Sequence, residues 1–264
     1  MKVFDLHNDV LTEVKNYSKE ILNYPKNVKV ATAIYKGNMS FNDVITLTEN
    51  YLKLNSENTM LAFEDISYEG LDLDKLLSYK PIYSSLTHNK ENSLACGVDF
   101  NKPLKEKGEE VIKKLNEYNI PLDLSHLSIK GCYDAINIAN RVLYSHVAFS
   151  EIYEHKRNID SHIISDVISK KGIIGLTFVG YFLTDKSASI YSVIKHIDYF
   201  LSKFSEDYLS IGTDFNGTDY LPLKLNNYDD FYLLKTELVK LGYKKTTINK
   251  IFYENASKFF KINW

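Results

Sequence analysis

The chain of 264 residues is 44% hydrophobic and 13% aromatic, with 32 Lys plus Arg against 34 Asp plus Glu and a formal net charge of −2. It is long enough to bury a sizeable core, and its dispersed lysines and only two arginines, Arg141 and Arg157, leave no basic footprint for nucleic acid. No run of about 18 apolar residues could cross a bilayer, no charged leader precedes the apolar stretch at Val3, "KFFKINW" is no lipid-anchor signal, and Cys96 and Cys132 fit neither a disulfide framework nor a Cys-rich zinc motif, so a soluble cytoplasmic protein is expected.

In chain order, the first predicted strand is "KVFDLH", which ends on a histidine with Asp9 two residues on. Side chains two apart in a strand emerge on the same side, so His7 and Asp9 make half of a candidate metal site. The strands "VKVATAIY", "TMLAFEDI" and "PIYSSLTH" follow. A helical stretch, "KPLKEKGEEVIKKLNEYN", comes next, with Pro103 suited to its first turn and Val111, Ile112, Leu115 and Tyr118 as its apolar stripe. Then strand "IPLDLSH", helix "SIKGCYDAINIAN", strand "RVLYSHV", helix "DSHIISDVISKK", strand "IIGLTFV", helix "SASIYSVIKHIDYFLSKF" and strand "YLSIGTDF" alternate. "YKGNMSF" and "NGTDYLPLKLNN" read as loops, the second placed to cover a site. Eight strand–helix units in about 250 residues, with no linker composition between them, predict a single (β/α)8 TIM barrel domain over residues 1–264; an open doubly wound sheet is the runner-up.

Polar residues fall where such a barrel would use them. His7 and Asp9 close the first strand, Glu64 the third, His88 the fourth, His126 the fifth, His146 the sixth and Asp214 the eighth. In a barrel these C-terminal strand ends converge on one mouth. Each residue alone has an ordinary explanation: a histidine capping a carbonyl, Glu64 as a solvated strand end, Asp214 in "IGTDFNG" as turn chemistry. Their joint placement does not. His162 and His196 lie in helical patterns and are read as structural or surface residues, and His155 is left out of the ligand set. Three imidazoles with Asp9 and Glu64 exceed what one catalytic ion needs. Two divalent ions resolve the excess, with Glu64 shared, His7 and Asp9 on one ion and His126 and His146 on the other. Zinc suits this nitrogen and oxygen set, and manganese, cobalt or iron would also be accepted. Two such ions about 3.5–4 Å apart lower the pKa of a bridging water and clamp a polarised carbonyl.

The motifs "DLHND", "AFEDIS", "SLTHNKEN", "LDLSH", "YSHVAFSEIYEHKRNI" and "IGTDFNG", closed by "IFYENASKFFK", resemble those of the membrane (renal) dipeptidase family of binuclear zinc peptidases, within the amidohydrolase-like barrels. They run through almost the whole chain in the family's order. The resemblance implies cleavage of dipeptides by a metal-bridging hydroxide, with D-residues accepted at the C-terminal side. It implies that Glu64 bridges the ions, that Asp214 holds the hydroxide and passes its proton to the leaving amine, and that His88 donates to the carbonyl oxygen. It also implies that Arg157 grips the substrate's terminal carboxylate, with Tyr181 assisting. The sequence departs from the family's pattern by short loops before Glu64, by Asp65 where small glycines are common, and by the lack of a tryptophan after His88. Those departures concern the substrate pocket, not the ligand set.

Two other readings stay open. A related binuclear amidohydrolase or lactonase acting on a cyclic amide, ester or lactam would keep the metal ligands and need no carboxylate anchor. A catalytically silent barrel would retain little metal. The aromatic content suits a homodimer interface and a large core equally.

Overall fold

The computed structural model describes residues 1–13, 18 and 20–263; the single tryptophan, Trp264, lies outside them. The strands are β1 (Val3–Asn8), β2 (Val28–Tyr35), β3 (Thr59–Glu64), β4 (Ser84–Ser85), β5 (Leu122–Asp123), β6 (Val142–Val147), β7 (Ile173–Leu176) and β8 (Leu209–Ile211). They pair in parallel in sequence order and close as a barrel through Asp5 against Ile211. The helices are α1 (Val10–Glu13), α2 (Phe41–Lys53), α3 (Leu73–Ser78), α4 (Glu106–Glu117), α5 (Ile129–Ile138), α6 (Ser161–Ser169), α7 (Gly180–Leu183), α8 (Ile190–Lys203), α9 (Phe231–Lys240), α10 (Lys245–Asn249) and α11 (Asn255–Phe260). The (β/α)8 expectation is met.

Short-range chemistry sets the helix starts. Ser40, Asp72, Ser128 and Asp160 each accept a backbone N–H of the following first turn, satisfying donors that the helix itself cannot. Pro103 corrects the sequence reading: α4 begins after it, at Glu106. The Leu104 N–H donates to Asp134 (3.0 Å) and the Lys105 N–H to the Leu94 carbonyl (3.3 Å), which ties the approach to neighbouring loops before the helix can start. Buried faces of α4, α5, α6 and α8 meet the outer faces of the strands in one large apolar cluster. A second cluster around Phe4, Leu6, Tyr83 and Leu143 fills the barrel base, where Phe4 stacks on Phe260 of α11 at 5.8 Å between ring centres. Burying a phenylalanine of this kind contributes roughly 2–3 kcal/mol.

Strand alternation is not what aims the N-terminal pair. Between Asp5 and Asn8 the pairing of β1 with β2 shifts register, as at a bulge, which re-aims side chains. Leu6 belongs to the inner cluster, and its neighbour His7 also reaches Tyr83 of that cluster.

His196 is a fully buried structural histidine on α8. Its Nδ1 accepts the Phe149 N–H (3.2 Å) and its Nε2–H donates to the Leu183 carbonyl (3.2 Å), joining the end of β6 to α7. Burial pulls this imidazole down from 6.5 to about 4, against the opposing pull of the Leu183 carbonyl. The unfolded chain therefore takes up a proton that the folded chain refuses until about pH 4. The stability contributed at neutral pH is lost as pH falls through that window, by up to about 3 kcal/mol. The urea midpoint of His196→Gln should consequently fall less steeply than that of the parent between pH 6.5 and 4; parallel curves would contradict this.

Candidate metal centre

The mouth of the barrel brings His7, Asp9, Glu64, His88, His126, His146, Arg157 and Asp214 into one neighbourhood, most of them around a cavity of about 580 Å³. His7 and His146 project from β1 and β6, and Glu64 ends β3. His88, His126 and Asp214 do not close their strands: each stands three residues beyond the last paired one. His126 and Asp214 have φ of +70° and +62°, a left-handed conformation that ends a strand and is concentrated at functional sites. Asp65, at φ +57°, sits where a glycine would be easiest. Its Oδ1 offsets the strain by accepting from the Ser67 hydroxyl (2.5 Å) and the Asn92 amide (3.0 Å).

The histidine rings are aimed by partners on their far nitrogens. His7 Nδ1 lies 2.8 Å from the Tyr83 hydroxyl, whose own proton goes to the Leu6 carbonyl, so Nδ1–H is the donor. His126 Nδ1–H donates to Asn89 Oδ1 (2.9 Å). His146 Nδ1 lies 2.8 Å from Ser145 Oγ, whose proton goes to Asp123 (2.6 Å). These assignments follow from the hydrogen-bond network. They turn all three Nε2 atoms toward the cavity side, the second-sphere pattern of metal-binding histidines. His126 Nε2 and His146 Nε2 approach to 2.9 Å, and Glu64 Oε1 is 2.9 Å from the first and 3.9 Å from the second.

The other half of the site is dominated by carboxylates. His7 Nε2 is 3.6 Å from Asp9 Oδ1 and 3.7 Å from Asp214 Oδ1. Burial disfavours a charged His7, but Asp9, Glu64 and Asp214 outweigh it and raise the imidazole to about 10. Burial, reinforced by Asp9, pushes Glu64 well above the usual range and Asp214 up to about 7, although His7 opposes both. His126 and His146 are pushed well down, first by burial and then by neighbouring cations including Arg157. One half thus demands positive charge and the other offers neutral lone pairs.

The donor set fits divalent ions. His7 Nε2, Asp9 Oδ1 and Glu64 Oε1 are buried without a hydrogen-bond partner, an arrangement costly to a fold unless a cation completes it. His7 lies beside Asp9 on one side, and Glu64 Oε1 approaches His126 and His146 on the other.

Arg157, 3% exposed, stands differently from its expected role. Its Nη2 donates to His146 Nε2 (2.8 Å), its Cζ lies 5.4 Å from the centre of the Phe182 ring, and its Nε has no partner. His88 is half-buried between Tyr35 and His126, 4.5 and 4.1 Å between ring centres. Burial, with Arg157 adding, lowers its imidazole to about 4. Tyr181 on α7 lies on the rim, 53% exposed and 4.8 Å from Tyr220. The loop read as a cover does line the cavity, through Asn216, Gly217, Thr218 and Asp219. His155 stacks on Phe182 rather than joining the cluster, and His162 is exposed.

Sequence reasoning missed the groups that orient the candidate ligands: Tyr83, Asn89, Asp123 and Ser145. Only the position of Asp123, inside the same "LDLSH" run as His126, gave a signal.

Gly217 packs so closely that a Cβ there would meet Asp214 Oδ1 and Asp9 Oδ2. Gly217→Ala should therefore weaken divalent-ion binding about tenfold or more, the usual scale for disturbed ligand support, while leaving the melting temperature of the metal-free protein nearly unchanged. Calorimetric titration checks the first and thermal denaturation the second.

Residues 53–263 match the membrane dipeptidase family, peptidase family M19. Dipeptidase tcpJ of Claviceps purpurea (strain 20.1) is 24% identical over 187 residues, which cover 68% of this chain and 44% of that protein. An uncharacterised dipeptidase of Schizosaccharomyces pombe is 26% identical over 187 residues, covering 68% and 46%. The chain thus spans less than half the length of these curated relatives. Among solved structures, a dipeptidase described as a metallo peptidase of family M19 superposes with a TM-score of 0.88 at 18% identity, covering 100% of this chain and 99% of that one. A metallo peptidase from Rhodobacter sphaeroides, bound to a phosphinate mimic of the dipeptide L-Ala-D-Ala, gives 0.84 at 17% identity, with 100% and 99% covered. At such identities the structural likeness speaks for the barrel, and the family match over most of the sequence speaks for descent: the chain belongs to the membrane dipeptidase family.

Proposed function

We propose that this chain is a dipeptidase that works with two divalent ions, zinc by preference, in a single domain spanning residues 1–264. The observation that carries the reading is the close approach of three imidazole Nε2 atoms to the carboxylates of Asp9, Glu64 and Asp214 at one barrel mouth, beside a cavity walled by a buried arginine. The solved relative that holds a dipeptide mimic favours a dipeptide as substrate. Cys96 and Cys132 are both buried free thiols, which suits the expected cytoplasmic setting.

His7 and Asp9 would hold one ion, His126 and His146 the other, and Glu64 both. When bound, such ions lower the pKa of a water and polarise a carbonyl. The protein's own side chains do the rest. Asp214, lifted by burial to about 7, accepts a proton from the attacking water and returns it to the leaving amine. His88, neutral because burial holds it near 4, donates one N–H to the oxyanion without changing charge across neutral pH. Arg157 loses its acceptor once His146 Nε2 is committed elsewhere. Its Nη2 and unpartnered Nε are then available to a substrate carboxylate as a planar fork, with Phe182 beneath the guanidinium and Tyr181 at the rim.

Purified protein should cleave L,L- or L,D-dipeptides, lose that activity on chelation and regain it with zinc; full activity after exhaustive chelation would defeat the reading. Arg157→Lys keeps the charge but loses the fork. It should cost roughly 10- to 100-fold in kcat/KM for dipeptides, the scale of a charged hydrogen bond, and little for the corresponding dipeptide amides. Equal losses on both would remove the carboxylate anchor, and robust turnover of a lactam or lactone in place of dipeptides would move the chain to the cyclic-amide reading.

A further inference from the structure

We propose that Asp123 is a positioning residue that sets the ring tautomer of His146 through the Ser145 hydroxyl. Resting on the reading of His7 and His146 as metal ligands, the inference adds a control that reaches both halves of the centre.

Asp123 ends β5 and is 1% exposed. Its Oδ1 accepts the backbone N–H of Ser145 (2.9 Å), the backbone N–H of Ser125 (3.1 Å) and the Ser125 hydroxyl (2.8 Å). Its Oδ2 accepts the Ser145 hydroxyl at 2.6 Å. Both serine protons thus point at one carboxyl group. A hydroxyl has a single proton, so Ser145 Oγ can only accept from its next neighbour, His146 Nδ1, at 2.8 Å. The Nδ1 of His146 must then carry the hydrogen, and Nε2 is left as a lone pair. The same Oγ lies 3.4 Å from His7 Nδ1, as a weaker second acceptor beside Tyr83. One hydroxyl, polarised by one buried carboxyl group, therefore touches a ring from each half of the site.

The near-isosteric change Asp123→Asn tests this. Two backbone N–H groups fix the amide oxygen at the Oδ1 position, so the amide NH2 replaces Oδ2 and donates to Ser145 Oγ. The displaced serine proton turns to His146 Nδ1, and the ring moves its own hydrogen to Nε2, where the His126 Nε2 lone pair at 2.9 Å accepts it and the Arg157 Nη2 contact (2.8 Å) is given up. A merely structural bond between β5 and β6 would not do this.

The readout is the long-range 1H–15N correlation spectrum of 15N-histidine-labelled, metal-free protein at pH 7.5, with zinc titration of the same samples. Expected are an Nδ1–H tautomer for His146 in the parent, an Nε2–H tautomer in Asp123→Asn, and affinity for one of two zinc equivalents reduced at least tenfold. An unchanged His146 tautomer with both equivalents bound as in the parent would overturn the proposal. Should Asp123→Asn fail to fold, Ser145→Ala carries the test: at least a tenfold loss at one of two equivalents supports the relay, and unaltered affinity at both refutes it. If the parent binds no divalent ion, it is the ligand reading that fails, and the tautomers still decide the role of Asp123.

Discussion

Three carboxylates, Asp9, Glu64 and Asp214, share one desolvated pocket, and the rest of the molecule answers to that repulsion. Charges removed from water are tolerated only when paired or bound to cations. Among the described residues the counterweights are His7, whose affinity for a proton is driven up, and Arg157, whose guanidinium is spent on His146 Nε2. Neither satisfies Asp9 Oδ1 or Glu64 Oε1. The pocket is thus built around positive charge that the described side chains do not supply, which is the physical content of calling it a candidate metal centre.

Holding such groups together requires a rigid frame, and the barrel provides it in layers. Phe4, Tyr83, Leu143 and α11 fill the base. Above them lies a polar layer of Tyr83 hydroxyl, Asp123, Ser125 and Ser145 against the rings, and the candidate ligands form the top. Close strand approach is part of the same design. At Gly212, just past β8, a Cβ would run into the Ser145 carbonyl, so a larger residue would displace the strand that carries the relay. Asp5 plays a comparable part on the other side. It is fully buried and accepts from the Thr213 N–H and hydroxyl and from the Tyr228 hydroxyl, which anchors the turn leading to Asp214.

The eight strands are legible because each is a short β-branched or aromatic run between helical stretches, and strand order follows once a barrel is chosen. Their C-terminal limits are not legible. Past Ser85 the chain leaves the ladder where the Leu86 carbonyl takes the Asn92 amide, and past Leu124 the Ser125 N–H turns to its own neighbour Asp123. Those are side-chain decisions that hydrophobic pattern does not encode. The same limit applies to the site. The candidate ligands His7, Asp9, Glu64, His126 and His146 can be found because few residue types bind metals and each falls at or just beyond the C-terminal end of a strand. Tyr83, Asn89 and Ser145 cannot, since each is an ordinary residue whose role comes from a partner more than 30 residues away or from the direction of one proton. Arg157 is singled out by the family resemblance, while its bond to His146 needs three dimensions.

The proposed chemistry depends on where divalent ions bind. Crystals of the zinc-loaded protein measured on both sides of the zinc absorption edge would locate them without reference to activity. Two anomalous peaks are expected at the mouth of the barrel, one beside His7 and Asp9 and one beside His126 and His146, with Glu64 between them. A single peak, or peaks away from these side chains, would contradict the account.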